Sequence, residues 1–152
     1  MDECNTNLVV HRDIKPASIL LTADLKPKIC DFGLSKRLRD CHELMETKVG
    51  LLMPPESQRE GQYGMDIDLW SFGVMLYQAV TGHVPFEGKA DSSPLKIQSC
   101  VRISPHCTDL IKRLLKKDSD TRIQFAEFFA HPFIHKDSET YKKYLHGELL
   151  YK

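Results

Sequence analysis

The stretch that decides the fold is HRDIKPASILL at residues 11–21, which leads on to DFG at residues 31–33. Two carboxylates, Asp13 and Asp31, stand 18 positions apart, and short apolar runs lie on either side of the turn between them. Phosphoryl transfer needs such a pair, because one carboxylate orients the attacking hydroxyl and a second holds Mg²⁺ against the phosphates. The stretch therefore predicts a phosphoryl-transfer site.

Length and composition fit one globular domain. The chain has 152 residues, is 41% hydrophobic and 28% charged, and carries no formal net charge, so nothing points to nucleic acid or to an anionic membrane surface. Its five scattered cysteines, without a Cys-x-x-Cys pair, favour reduced thiols in a cytosolic or nuclear setting, and we expect the cytoplasm. The longest apolar stretch, residues 67–80, is shorter than the roughly 20 residues of a membrane span.

Two short apolar runs predict a β-hairpin that carries the candidate site at its ends. Residues 19–21 are typical of one strand, residues 22–24 of a turn, and residues 27–30 of the returning strand. Such a hairpin places Ser18 near Asp31. Its apolar faces would pack while its ends carry the chemistry.

The pattern beyond the hairpin is mostly helical. Residues 67–80 are apolar nearly all round, which predicts a buried core helix. Apolar pairs at i and i+4 predict an amphipathic helix over residues 108–116, with Thr108 or Asp109 as its cap. A further helix is predicted from Phe125.

These motifs resemble those of the eukaryotic serine/threonine protein kinases and occur in kinase order between residues 8 and 135. HRDIKP resembles the catalytic loop of that family and DFG its magnesium loop. DLWSFG at residues 68–73 resembles a pattern in which the Asp braces the backbone of the catalytic loop. The PPE run that ends at Glu56 resembles the end of the activation segment, and Arg122 matches the residue that pairs with that Glu.

The resemblance implies an α+β, protein-kinase-like fold: a mostly helical C-terminal lobe with a small β-hairpin, the N-terminal lobe being absent. It implies a partial kinase domain over residues 1–135 and a polar tail over residues 136–152, with a helical pattern from Tyr141 to Leu150. Lys15, two residues after Asp13, resembles the lysine that distinguishes serine/threonine kinases from tyrosine kinases. The run from Arg122 to Phe133 looks most like the Unc-51-like autophagy kinases.

By the same resemblance, the chain transfers the γ-phosphate of ATP, held with Mg²⁺, to serine or threonine of a protein. Asp13 would orient the hydroxyl, Lys15 would stabilise the transferred phosphate, and Arg12 would face a phosphate on Thr47, for which an unmodified surface threonine is the alternative. The implied catalytic residues are Asp13, Lys15 and Arg12; the implied cofactor-binding residues are Lys15, Ser18, Leu20 and Asp31; the implied metal ligands are Asp31 and Ser18.

Three departures from the family pattern put autonomous activity in doubt. The sequence contains neither a Gly-x-Gly-x-x-Gly run nor a Val-Ala-x-Lys strand, which in the family cover and bind the phosphates of ATP. Ser18 stands where the family has Asn, and the segment from Val49 to Glu56 is shorter than the family pattern and lacks its Thr. We therefore expect a fragment or truncated product with weak or no activity. A non-catalytic, pseudokinase-like interaction module is the alternative, and a longer chain with an earlier start is a third possibility.

Two further expectations concern the surroundings of the site. His11 is expected to pack against Phe32 rather than to act as an acid or base, and Cys30 to be inert packing rather than a reactive thiol. The apolar face around Leu20 and Met75, which also includes Ile29, is expected to be partly uncovered. Such a face favours self-association of the chain. The kinase resemblance also implies a protein substrate or a regulatory protein as a partner.

Overall fold

The computed structural model describes residues 7–46, 53–55, 62–86, 95–99 and 102–135. Within these ranges a helical body carries two small antiparallel β-ribbons. The strands are β1 (Val9–Val10), β2 (Ile19–Leu21), β3 (Pro27–Ile29) and β4 (Lys36–Arg37), and the α-helices are α1 (Ile67–Thr81), α2 (Pro105–Leu114) and α3 (Phe125–Ala130). No helix in the described part of the chain is long and apolar enough to cross a membrane. The predicted tail helix lies outside the described residues.

The two ribbons position the candidate site. Strand β2 pairs with β3, with Ile19 opposite Ile29, which confirms the predicted hairpin. Strand β1 pairs with β4, with Val10 opposite Lys36. Because β1 runs directly into the HRD loop and β4 follows the DFG turn, the two pairings bring both motifs to one end of the body.

Helix α1 is the centre of the core, as predicted. Its faces are buried in two apolar clusters, one around Trp70 and Val74 and the other around Leu69. The helix ends at Thr81 because Gly82 takes a left-handed conformation, with φ of 79°, that glycine adopts without steric cost. The site is therefore built against the N-terminal turn of a buried and rigid helix.

The start of helix α2 differs from the prediction. The helix begins at Pro105, and the side chain of Ser104 caps it by accepting a hydrogen bond from the backbone N–H of Cys107 at 3.1 Å. Thr108 and Asp109 lie inside the helix, so their predicted role as caps is wrong. Ser followed by Pro is a start signal in itself, because Ser caps well and Pro suits the first helical position.

Helices α1 and α2 approach closely at Gly73. A Cβ atom at this position would lie 2.7 Å from the Cβ of Leu114 and 3.1 Å from Cδ2 of Leu115. Those distances are shorter than ordinary contacts between carbon atoms, which are about 3.5–4.0 Å. The sequence needs glycine here for packing rather than for backbone freedom.

Gly73→Ala is therefore expected to lower the free energy of unfolding by about 1–3 kcal/mol, the usual cost of overpacking a core. Helix propensity alone would favour alanine by about 1 kcal/mol, so steric contact has to overcome that gain. Urea denaturation followed by circular dichroism measures the change. Ala79→Gly at an exposed position of α1 calibrates the propensity term, and an alanine variant more stable than the parent would contradict the close approach.

Candidate active site

The HRD loop is fixed to helix α1 by a buried carboxylate. Asp68, 4% exposed, accepts hydrogen bonds from the backbone N–H of His11 at 2.7 Å and of Arg12 at 2.9 Å. Burial raises the pKa of the Asp68 carboxyl, while the two backbone hydrogen bonds act in the opposite direction. Arg12 has φ of 68°, an uncommon conformation for a non-glycine residue, and it persists here because Asp68 holds its amide.

His11 joins the HRD loop to the strand that precedes DFG. Its ring is buried and packs edge-to-face on Phe32, with ring centroids 4.7 Å apart, which confirms the predicted packing. Nδ1 accepts a hydrogen bond from the backbone N–H of Asp13 at 3.3 Å, so Nε2 carries the proton and donates to the Cys30 carbonyl at 2.9 Å. Both ring nitrogens are thus used within the loop.

Asp13 and Lys15 form an ion pair at the tip of the loop. Lys15 Nζ lies 2.5 Å from Asp13 Oδ2, and their side chains are 30% and 9% exposed. The hydrogen bond to Asp13 raises the pKa of Lys15, and the negative charge of Asp31 acts in the same direction. The folded chain therefore brings two of the predicted charged residues, Asp13 and Lys15, into direct contact.

Ser18 connects the HRD loop to the strand that precedes the DFG turn. Its hydroxyl donates to the carbonyl oxygen of Asp13 at 2.9 Å, its side chain is 1% exposed, and its own carbonyl accepts from the backbone N–H of Cys30 at 2.9 Å. These bonds link the loop to the strand that leads to Asp31. Because the Ser18 hydroxyl is directed at the loop backbone, its role as a magnesium ligand stays a prediction.

Asp31 is presented to solvent at the entrance to the DFG turn. It is exposed, has φ of 64°, and makes no side-chain capping bond to the short 3₁₀ turn Phe32–Leu34 that follows. Mg²⁺ prefers oxygen ligands and commonly binds one or two protein carboxylates together with substrate phosphates. The exposed carboxylate of Asp31 fits that pattern. Leu20, predicted to contact the nucleotide, is 58% exposed on the adjacent strand β2.

The comparison with known proteins decides the family. A family model described as "Protein kinase domain" matches residues 1–134. The chain belongs to the protein kinase family. The family assignment made from the sequence motifs is thereby confirmed, and the match fits the expected kinase-like fold.

The kinase chain is similar to several serine/threonine kinases. It is 38% identical over 150 residues to serine/threonine-protein kinase ATG1b of Arabidopsis thaliana, covering 89% of this chain and 21% of that protein. It is 37% identical over 139 residues to serine/threonine-protein kinase ULK3 of Xenopus laevis, covering 83% and 30%. These similarities confirm the resemblance to the Unc-51-like subgroup. The kinase chain thus spans about a fifth to a third of the length of the curated relatives it matches.

The residues around Arg122 anchor the helical body of this kinase chain. The Arg122 side chain is fully buried, lies 2.6 Å from Asp66 Oδ2, and stacks over the ring of Trp70 at 5.0 Å. The predicted partner, Glu56, lies outside the described residues. The contact with Asp66 was not foreseen, because nothing in the sequence ties position 66 to position 122.

Arg12 faces the start of the activation segment. Its Nε donates to the carbonyl of Leu34 at 2.6 Å, next to the DFG turn. The predicted phosphate acceptor, Thr47, lies outside the described residues, so its pairing with Arg12 stays a prediction. A second link, between Lys36 Nζ and Glu43 Oε1 at 2.8 Å, was missed; opposite charges seven residues apart give no sequence signal in a loop.

Proposed function

We propose that this kinase chain carries the large-lobe half of a serine/threonine kinase site, over residues 1–135, with residues 136–152 as a polar tail. The reaction is transfer of the γ-phosphate of ATP to a serine or threonine hydroxyl of a protein. The observation that supports it is the ion pair of Asp13 with Lys15, next to the β2–β3 hairpin that leads to Asp31. Mutual placement of this kind is what phosphoryl transfer requires of a protein.

The site residues have different roles in this proposal. Asp13 orients the attacking hydroxyl and accepts its proton, while Lys15 places a positive charge beside the transferred phosphate. Asp31 would hold Mg²⁺, with Ser18 as a weak additional ligand, and Leu20 would contact the nucleotide. Bound Mg·ATP supplies the phosphoryl group and neutralises its charge.

We further propose that these 152 residues alone transfer phosphate weakly or not at all. The Ser18 hydroxyl is directed at the Asp13 carbonyl, so coordination by this residue would cost the loop a buried hydrogen bond. No glycine-rich phosphate loop or Val-Ala-x-Lys strand occurs in the 152 residues. Positioning of ATP then depends on Asp31 and its neighbours alone.

A phosphotransfer assay tests the proposal. Radiolabelled ATP at millimolar concentration with Mg²⁺ is offered together with matched peptides whose acceptor is Ser, Thr or Tyr. The expected result is slow labelling of the Ser and Thr peptides and none of the Tyr peptide. Labelling of the Tyr peptide would contradict the reaction class. No labelling of any peptide, even at stoichiometric protein, would favour a non-catalytic role.

A non-catalytic, pseudokinase-like interaction module is the second candidate, and the exposed apolar hairpin favours it. Leu20, Leu21 and Leu25 are 58%, 63% and 75% exposed, and Ile29 and Met75 are half-buried. Exposed apolar surface of this kind is typical of protein interfaces. In this candidate the hairpin binds a regulatory protein or a second copy of the chain. The cytoplasmic location indicated by the reduced cysteines stays a prediction.

Self-association through this face has a direct test. Leu20→Ser is expected to shift the chain toward monomer and to lower the binding of a dye for apolar surfaces, because it removes exposed apolar surface. The fold should tolerate the change, since Leu20 is 58% exposed. Sedimentation velocity over a concentration series measures the first effect and dye fluorescence the second. Lys26→Ser on the same hairpin is the polar control. A parent chain that sediments as a monomer at all concentrations would contradict self-association.

A further inference from the structure

A cavity of about 410 Å³ lies on the helical body. Three separate parts of the chain line it: the turn at residues 41–44, the segment at residues 62–66 that leads into α1, and the segment at residues 119–125 that leads into α3. Its volume is within the range of about 300–1,000 Å³ that is typical of ligand pockets. None of the residues of the candidate active site line it.

One side of the cavity is apolar and reaches solvent. Leu44 is 54% exposed, and Phe125, on another of the lining segments, is half-buried. Tyr63 and Met65 of the same lining are buried, at 2% and 8% exposure. A large apolar side chain placed between Leu44 and Phe125 would remove apolar surface of both residues from water, which is a favourable change.

The charge of the lining is negative. Among the described residues of the lining, the charged ones are Asp66 and Asp120, and none is a lysine or arginine. The charge of Asp66 is offset by Arg122, whose side chain is fully buried. Asp120 is exposed, and its backbone N–H, rather than its carboxylate, makes the local bond to Asp118. The cavity therefore presents the Asp120 carboxylate beside an apolar wall.

We propose that this cavity is a docking site for a peptide segment of a partner protein, in which a large apolar side chain is followed directly by Lys or Arg. The apolar side chain lies between Leu44 and Phe125, and the basic group pairs with Asp120. The Gln62 amide and the Ser119 hydroxyl of the same lining offer hydrogen bonds to the peptide backbone, whereas the Gln124 amide already donates to the Arg122 carbonyl. The proposal concerns binding and does not depend on phosphoryl transfer.

The site lies next to the residues that hold the catalytic loop. Asp66 stands two positions before Asp68, which binds the backbone of the HRD loop, and it also pairs with Arg122. A docked segment therefore contacts the turn from which the loop is supported. This position would place a bound partner close to the activation segment without covering Asp13.

The test uses fluorescein-labelled decapeptides and the whole chain. One peptide has a central Phe-Arg-Arg, and two matched peptides have Ser for the Phe or Glu for both Arg residues. Fluorescence anisotropy is expected to show saturable binding of the first peptide, at least tenfold weaker for the Ser peptide and weaker again for the Glu peptide. Cys41, an exposed thiol of the lining, is expected to be alkylated by iodoacetamide at least threefold more slowly in the presence of the first peptide, as read by peptide mapping.

Three variants of the chain locate the binding. Leu44→Ser is expected to weaken binding of the Phe-Arg-Arg peptide at least tenfold, and Asp120→Asn at least threefold. Leu25→Ser, at the exposed hairpin tip, is the matched control and should leave the affinity within twofold. Thermal melts confirm that each variant is folded, as expected for exposed side chains.

Several results would overturn the proposal. They are no saturable binding of the Phe-Arg-Arg peptide, equal affinity for the Glu peptide, or an affinity unchanged by both Leu44→Ser and Asp120→Asn. Loss of binding with Leu25→Ser alone would assign the peptide to the hairpin. Dimers of the chain that the Phe-Arg-Arg peptide dissociates, as seen by sedimentation velocity, would assign the cavity to a second copy.

Discussion

Replacing Asp68 by alanine is expected to lower the free energy of unfolding by about 2–5 kcal/mol. The substitution leaves the backbone N–H groups of His11, which is buried, and of Arg12, which is partly buried, without the acceptor that now lies at 2.7 and 2.9 Å. Each buried donor that loses its partner costs about 1–3 kcal/mol. The left-handed conformation of Arg12 also loses its support, so the HRD loop should become the first part of the chain to open.

Urea denaturation and hydrogen exchange measure the two effects. Asp68→Asn is expected to lower the free energy of unfolding by less than Asp68→Ala does. Asparagine keeps one acceptor oxygen but turns its amide donor toward a second backbone donor. Asp24→Asn, at an exposed turn of the hairpin, is the control and should leave the free energy of unfolding nearly unchanged. A loss below about 1 kcal/mol for Asp68→Ala, with unchanged exchange at residues 11 and 12, would contradict the supporting role of Asp68.

The second large effect concerns catalysis. Asp13→Asn is expected to reduce phosphotransfer to the Ser peptide about 100-fold or more, since a positioned general base contributes typically 10²–10⁴-fold. The substitution nearly preserves shape, but asparagine accepts a proton poorly and breaks the ion pair with Lys15. The fold should survive, because the backbone of Asp13 keeps its bonds to His11 and Ser18.

Initial rates with radiolabelled ATP, at equal concentrations of folded protein, measure this effect. Asp24→Asn again serves as the control and should retain the parent rate. A rate unchanged by Asp13→Asn would assign the labelling to another protein in the preparation. Restoration of the parent rate at high pH in the variant would indicate that proton acceptance, rather than orientation, is the main contribution of Asp13.

The fold was predicted best where local patterns decide it. The β2–β3 hairpin follows from apolar runs joined by a turn, and helix α1 follows from an apolar stretch too long for a strand and too short for a membrane. The start of α2 was missed because the prediction followed apolar periodicity and overlooked Ser104 before Pro105. A capping signal of two residues, Ser104 and Pro105, fixed that boundary more strongly than the periodicity did.

The candidate site was predicted in its residue types but not in its supporting contacts. Asp13, Lys15 and Asp31 were identified from motifs, and the role of Asp68 came from the resemblance. The bridge that His11 makes to the Cys30 carbonyl could not be predicted, and neither could the inward direction of the Ser18 hydroxyl. Both depend on how the hairpin lies against the loop, which is a tertiary contact without a local sequence signal.

Calorimetric titration of Mg·ATP into the purified chain tests directly whether these residues form the catalytic and magnesium loops without holding ATP tightly by themselves. We expect a Kd in the millimolar range or weaker, equal in the parent chain and in Asp24→Asn. Micromolar binding that requires Mg²⁺ and disappears in Asp31→Ala would contradict it. That result would mean that the 152 residues contain a complete nucleotide site.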